Sequence, residues 1–216
     1  MKHIHFNKNI IILFLIFTIG ECVQSQDTLK IDSSGYKLQA FYLSLNVTGL
    51  WISGHHINWE TGEPDKSNAT EGIKTHCSAF VAAACKKLSI YILRPPDHGQ
   101  VLLSNAQYDW LFTDDAVNKG WTEIKTDKYY TSQIYANEGY VVVAAFKSSD
   151  DSKPGHIALI MPTEIDKNTL NESGPILIQA GTENSESISL KEGFKHHIKK
   201  WPENKIEFFY NEKEVE

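Results

Sequence analysis

Two residues of this chain, Cys77 and His156, have the chemistry and the local context of a nucleophile and its base. Cys77 stands where a polar segment runs into the apolar stretch Ser78–Leu88, and His156 follows Pro154-Gly155 at the start of an apolar run. The dipole of a helix N-terminus favours a thiolate, and an imidazole can hold the thiolate as an ion pair and carry protons. The two residues therefore predict nucleophilic catalysis by a cysteine.

The segment after Thr75 has the period of a buried helix, with Thr75 as its N-cap. One stripe of this helix is formed by Cys77, Val81, Ala84, Cys85 and Leu88. Cys85 lies two turns beyond Cys77 and is interpreted as a packed core thiol. On one helix the two Cα atoms are about 12 Å apart, whereas a disulfide needs them within roughly 7 Å. We therefore expect both thiols to remain unpaired.

Three strands are predicted after the helix, over residues 139–146, 156–161 and 175–180. If the last two pair antiparallel, Gln179 lies beside His156, where its amide oxygen can accept the Nδ1–H of the imidazole and direct Nε2 at the thiol. A helix followed by an antiparallel meander is an α+β layout. Elsewhere, residues 26–40 are interpreted as loose, residues 41–47 as a strand or short helix, and residues 107–112 as a short helix.

The motif Cys77-Ser78-Ala79-Phe80-Val81 resembles the Cys-Ser-Gly-Phe-Val signature of the NlpC-type cell-wall peptidases, which belong to the papain-like superfamily beside the CHAP amidases. Gly155-His156-Ile157-Ala158 is similar to the Gly-His-Val-Gly of that family, and Ile178-Gln179-Ala180 to the strand that carries its third polar residue. The resemblance covers roughly residues 75–184. The chain departs from the family pattern at His76, Ala79 and Tyr140, where the family has Asp, Gly and Asp.

The resemblance implies a papain-like α+β fold, in which an N-terminal helix carrying the cysteine packs on an antiparallel β-meander carrying the histidine and the third residue. It implies Cys77 as nucleophile, His156 as base and Gln179 as the residue that orients the base. It also implies a hydrolase that cleaves an amide bond without a cofactor.

A loop rich in Trp and His precedes the helix, over residues 51–65. Trp51 and Trp59 are able to stack on a sugar or a peptide, although two Trp in a loop commonly form a small satellite core. Trp51, His55, Trp59 and His76 are taken as candidate substrate-binding residues, with His76 at the rim of the cleft. Adjacent histidines in an extended chain point apart, so His55 and His56 do not predict a metal site.

The N-terminus has the pattern of an export signal. Lys2 and Lys8 precede the apolar run Ile10–Gly20, and Val23 and Ser25 offer small residues for cleavage. We therefore expect residues 1–25 to be a cleaved signal peptide, residues 26–216 to be a single hydrolase domain, and the mature protein to be secreted or periplasmic without stable membrane insertion. An uncleaved anchor and lipidation at Cys22 are the less favoured alternatives.

The formal net charge is −6, which gives no indication of nucleic-acid binding. A basic run near the C-terminus is interpreted as a solvated helix face, with contact to an anionic polymer as the alternative. It contains Lys191, Lys195, His196, His197, Lys199 and Lys200.

The sequence thus predicts an exported cysteine peptidase or amidase acting on a peptide, with the peptide of peptidoglycan as the expected substrate. Two alternatives remain open. One is a papain-like hydrolase or acyltransferase with a substrate outside the cell wall, and the other is a non-enzymatic binding module on the same scaffold.

Overall fold

The structure is a computed structural model and describes residues 27–65, 75–202 and 205–214. Within these ranges the chain forms seven helices and eight strands, which confirms an α+β fold. The elements follow one another as β1 (Thr28–Leu29), α1 (Ser33–Ser44), α2 (Cys77–Lys87), α3 (Leu103–Leu111), α4 (Asp114–Asn118), β2 (Trp121–Glu123), α5 (Lys128–Asn137), β3 (Tyr140–Phe146), β4 (His156–Ile160), β5 (Ile165–Asp166), α6 (Lys167–Ser173), β6 (Ile176–Gln179), β7 (Ser185–Ser189), α7 (Leu190–Gly193) and β8 (Glu207–Glu214).

Six of the strands form one antiparallel sheet in the order β2-β8-β3-β4-β6-β7. The predicted pairing of β4 with β6 is confirmed, because Leu159 lies opposite Ile178 and Ile160 opposite Leu177. The short strands β1 and β5 pair separately.

Both faces of the sheet are buried, which is why β3 and β4 consist almost entirely of apolar residues. On one face, Val143, Ile157 and Leu159 pack in a core cluster with helix α2. On the other face, Val142, Ala144 and Ala158 pack in a second cluster with residues of α5, α7 and β8. The sheet is thus the middle of three layers.

Helix α2 is buried all round rather than along one stripe. Every residue from Cys77 to Cys85 is buried, as expected for a helix in the centre of a fold. The helix begins at Cys77 with His76 at the N-cap position, where no side chain caps it, and not with the predicted Thr75. Both Cys77 and Cys85 are free, as predicted, and Cys85 is fully buried.

One interpretation of the N-terminal half is wrong. Residues 27–40 are not loose, because helix α1 begins at Ser33 and continues through them. Of the two alternatives for residues 41–47, the helix is confirmed as far as Ser44, where α1 ends, and the strand is wrong. Asp32 caps this helix, accepting a hydrogen bond from the Gly35 N–H at 2.8 Å. The predicted signal peptide lies outside the described residues. Within the described ranges, no helix combines the length and apolar character needed to cross a bilayer.

Candidate active site

His156 and Gln179 are in direct contact at one end of the sheet. Continuing the register of β4 and β6 places Gln179 opposite Ala158, so its side chain emerges on the same face as His156 and diagonal to it. The Oε1 atom of Gln179 lies 2.9 Å from Nε2 of His156. Both side chains are 4% exposed.

The hydrogen bonds of Gln179 fix the tautomer of His156. Nε2 of Gln179 donates to the backbone carbonyl of Glu183 at 3.2 Å, and a carbonyl can only accept. Oε1 therefore faces the imidazole, and Nε2 of His156 must carry the hydrogen. This corrects the predicted orientation, in which Nδ1 met the amide. Nδ1 of His156 is the nitrogen left with a free lone pair and is therefore the candidate base.

The Cys77 thiol lies in the first turn of α2, against the backbone of β4. Burial raises the pKa of this thiol, whereas the backbone N–H groups of Ile157, Ser78 and Cys77 itself lower it. The N–H of Ile157 belongs to the residue next to His156, so the packing of α2 on β4 brings the thiol to the start of the histidine strand. The N–H groups of Ser78 and Cys77 are those of a helix N-terminus, where negative charge is favoured.

The cysteine and the histidine approach the end of β4 from different layers. Side chains alternate along a strand, and Ile157 accordingly packs in the cluster of α2 while His156 packs against Phe194 and His197. Within the described residues, no hydrogen bond joins the Cys77 thiol to the His156 ring. The structure therefore brings His156 and Gln179 together and places the thiol beside the backbone of the same strand.

The charge state of this site differs from the predicted ion pair. Burial lowers the pKa of His156 to about 4, partly offset by the hydrogen bond with Gln179, and it raises the pKa of Cys77. Both shifts follow from the cost of placing a charge in an apolar surrounding. In this closed arrangement the thiol and the imidazole are both neutral at neutral pH, so the thiol has to be deprotonated during the reaction and is not held as a thiolate beforehand.

The segment after β7 closes the histidine side of the site. The His197 ring lies parallel to that of His156, with centroids 4.9 Å apart and an interplanar angle of 3°. Phe194 meets the same ring edge-on at 4.7 Å. A cavity of only 20 Å³ remains between His156, Gln179 and this segment, room for about one water molecule. The basic run is therefore not simply a solvated helix face, because His197 is half-buried against the candidate base.

Asn105 fixes the loop from which β4 starts. Its Oδ1 accepts hydrogen bonds from the N–H groups of Gly155 at 2.8 Å and Ser148 at 3.3 Å, and its Nδ2 donates to the Lys153 carbonyl at 2.9 Å. A Cβ on Gly155 would lie 2.0 Å from the Phe146 carbonyl oxygen, so the backbone before His156 admits only glycine. Sequence reasoning missed Asn105, because one Asn just before the predicted helix of residues 107–112 carries no signal of its partners.

The candidate substrate-binding residues do not form one surface. Trp51 is 1% exposed and packs edge-on against Phe80 with centroids 5.2 Å apart, so the prediction that it contacts substrate is corrected to a core role. His76 is also 1% exposed and does not lie at the rim of a cleft. Its Nε2 donates to the His55 carbonyl at 2.8 Å, which ties the loop to the start of α2.

His55 and Trp59 remain accessible but lie apart. The His55 side chain is exposed. Trp59 is half-buried under Lys86, whose Nζ lies 5.3 Å from the ring centroid. Lys86 stands in the last turn of α2, about 13 Å along the helix from Cys77. Trp59 lines a groove of 470 Å³ together with Tyr91 and Arg94, which is separate from the site around Cys77 and His156. In the described ranges, no group of three or more His, Cys, Asp or Glu side chains is placed to hold a metal ion.

No protein-family model matches the chain, and a search of curated proteins finds no sequence that matches it.

Proposed function

We propose that the protein is an exported papain-like cysteine hydrolase that cleaves an amide bond in a peptide, with the peptide of peptidoglycan as its substrate. The observation that carries the proposal is the His156–Gln179 hydrogen bond of 2.9 Å, at the end of a strand whose next backbone N–H faces the Cys77 thiol. A thiol at a helix N-terminus, a histidine and an amide that orients it are the parts a cysteine hydrolase needs.

In the proposed reaction, Nδ1 of His156 accepts the thiol proton and the sulfur of Cys77 attacks the amide carbonyl. The N–H groups at the start of α2 stabilise the oxyanion, since they are fixed donors where negative charge develops. The imidazolium then protonates the leaving amine, and the neutral ring activates the water that hydrolyses the thioester. For the first step the ring and the thiol have to come within hydrogen-bonding distance, which requires a rearrangement at the start of β4.

The experiment incubates the protein with purified peptidoglycan and with soluble peptide fragments of it, and identifies the products by mass spectrometry. After hydrolysis, the masses of the two fragments add up to the mass of the substrate plus one water, and the fragments carry a new amine and a new carboxylate. We expect cleavage by the wild-type protein and by Cys85→Ala, and none by Cys77→Ala. Cleavage of other peptides or amides with peptidoglycan left intact would retain the hydrolase and reject the wall substrate.

A binding role on the same scaffold is the second candidate, and the closure of the site favours it. Cys77, His156 and Gln179 are each 4% exposed, and burial opposes the charged form of both the thiol and the imidazole. Binding of peptidoglycan fragments with unchanged affinity in Cys77→Ala, together with no product from either protein, would support this role.

A further inference from the structure

The segment Leu190–His197 packs directly against the His156–Gln179 pair. The N–H of Leu190 donates to the Pro175 carbonyl at 2.9 Å, and the hydroxyl of Ser189 accepts from the Glu192 N–H at 3.3 Å. The first contact holds the start of α7 beside the start of β6, and the second caps the helix.

The backbone of this segment touches Gln179 at Gly193. A Cβ at that position would lie 2.7 Å from Oε1 of Gln179, the atom that bonds His156. A side chain at position 193 would displace the Gln179 amide from its place, so this glycine allows the segment to lie directly against the His156–Gln179 pair.

Two rings then enclose the imidazole on the side away from α2. Phe194 is completely buried in the second core cluster, and the N–H of His197 donates to its carbonyl at 2.8 Å. This bond turns the chain so that the His197 ring covers one face of His156 while Phe194 meets it edge-on.

We propose that His197 is a positioning residue for His156: its parallel ring, backed by Phe194, holds the imidazole in the plane in which Nε2–H meets Gln179 and leaves Nδ1 free. The proposal rests on the proposed function for its catalytic consequence, but its structural content can be measured without any turnover. Packing alone requires only an apolar ring at position 197. An imidazole adds a group that cannot be protonated together with His156 without repulsion between like charges.

The surroundings of the two rings also favour the neutral form of both imidazoles. Burial, followed by the proximity of His156 and His196, lowers the pKa of His197 to about 4. Lys195 lies 3.7 Å from Glu183 and 3.6 Å from Glu192, so its charge is partly balanced. The ionisable groups around the stack are thus His196, Lys195, Glu183 and Glu192 on the cavity side and the Cys77 thiol toward β4.

The test compares His197→Phe and His197→Ala by ¹⁵N NMR of the His156 imidazole across pH 3 to 8. His196→Ala, which changes the exposed neighbour, is the matched control. In His197→Phe we expect the Nε2–H tautomer to persist and His156 to titrate as a single site at acidic pH. In His197→Ala we expect water to reach the ring, so that its pKa rises toward the ordinary value and the tautomers mix.

The activity of the same variants on peptide substrate supplies the second readout. We expect His197→Ala to lower kcat/KM by about tenfold, since small misplacements of a reacting group cost up to ~100-fold, and His197→Phe to restore most of it. An unchanged tautomer and titration of His156 in His197→Ala would overturn the positioning role. The predicted NMR changes without activity in any variant would keep the positioning role and reject the hydrolase.

Discussion

The backbone carbonyl of Glu183 accepts a hydrogen bond from the side-chain amide of Gln179 at 3.2 Å. This contact determines which way round the amide lies, and the amide in turn determines which nitrogen of His156 carries the proton. The nitrogen that can act as base is therefore selected by a main-chain oxygen of a loop, which is linked to the imidazole by two successive hydrogen bonds through the Gln179 amide.

Gln179→Ala should lower kcat by about tenfold without abolishing turnover, because the amide orients the base and takes no part in proton transfer. Steady-state kinetics on one peptide substrate measures the effect. The matched control is Gln39→Ala in α1, which also loses an amide hydrogen bond, the one to the Pro162 carbonyl at 2.7 Å. Equal rates in the two variants would remove the orienting role from Gln179.

Cys77→Ala should abolish turnover and leave the fold near intact, because it removes the sulfur of a first-turn residue and little core volume. Cys85→Ala should keep activity and lose about 1 kcal/mol of unfolding free energy, as a small buried truncation does. Urea unfolding and product analysis check both expectations. An inactive Cys85→Ala with an active Cys77→Ala would show that the wrong thiol had been assigned.

The two thiols should also differ in their reaction with iodoacetamide. Burial raises the pKa of Cys77 above its ordinary value of 9.0 and raises that of Cys85 to about 12, and only the thiolate reacts. We expect slow alkylation at pH 7, with Cys77 reacting first as the pH is raised. Peptide mapping by mass spectrometry separates the two sites. Rapid alkylation of Cys77 already at pH 6 would contradict this expectation and support the thiolate–imidazolium ion pair that the sequence predicts.

The stability of the protein should fall on mild acidification because of His156. The pKa of its imidazole is lowered from 6.5 to about 4, chiefly by burial, so the unfolded chain binds this proton at a higher pH than the folded protein does. The free energy of unfolding is then independent of this group above about pH 6.5 and decreases as the pH falls from there to about 4. At about 1.4 kcal/mol per pH unit, the loss is about 3 kcal/mol.

Urea unfolding at several pH values, compared between the wild type and His156→Phe, isolates that contribution. The variant should show a shallower dependence between pH 6.5 and 4, with a remainder from His197, whose pKa is also lowered to about 4. Identical slopes in the two proteins would mean that His156 is not kept neutral by burial.

Asn105→Ala should destabilise the protein by about 2 to 3 kcal/mol, because it leaves the N–H of Gly155 and the carbonyl of Lys153 without their partner. It should also lower activity, since His156 follows the released backbone directly. Thermal or urea unfolding measures the first effect. The exposed Asn118→Ala at the end of α4 is the control, and a loss no larger than in that control would contradict the anchoring role.

The core of the fold could be predicted where an element is buried on both of its faces, because such an element is a nearly continuous run of apolar residues in the sequence. Helix α2 and the strands β3, β4 and β6 lie close to their predicted positions for this reason. Strand β8 was missed, because its apolar run is only three residues long, Phe208–Tyr210, and is flanked by polar and charged residues. Most of helix α1 was missed, because its apolar residues do not share one face. Leu38 and Tyr42 are buried, whereas Tyr36 and Leu43 are exposed.

The candidate site was predictable as three residue types in order along the chain, but not as a geometry. The tautomer of His156 depends on the Glu183 carbonyl. The enclosure of its ring depends on Phe194 and His197, and the charged or titratable residues between these two give no sign of a buried contact. The depth of burial, which sets the direction of both pKa shifts, follows from packing over the whole sheet and has no local signature around Cys77.

The position of β8 between β2 and β3 constrains how the chain acquires this fold. Glu207–Glu214, the last strand along the described residues, is an interior strand of the sheet, so β3 and β2 present open edges until it is inserted. Open edges invite pairing with other chains, and pairing between segments so distant in sequence is slow. During synthesis, the nascent chain therefore holds a complete thiol helix and a complete histidine strand well before it can close the sheet that supports them.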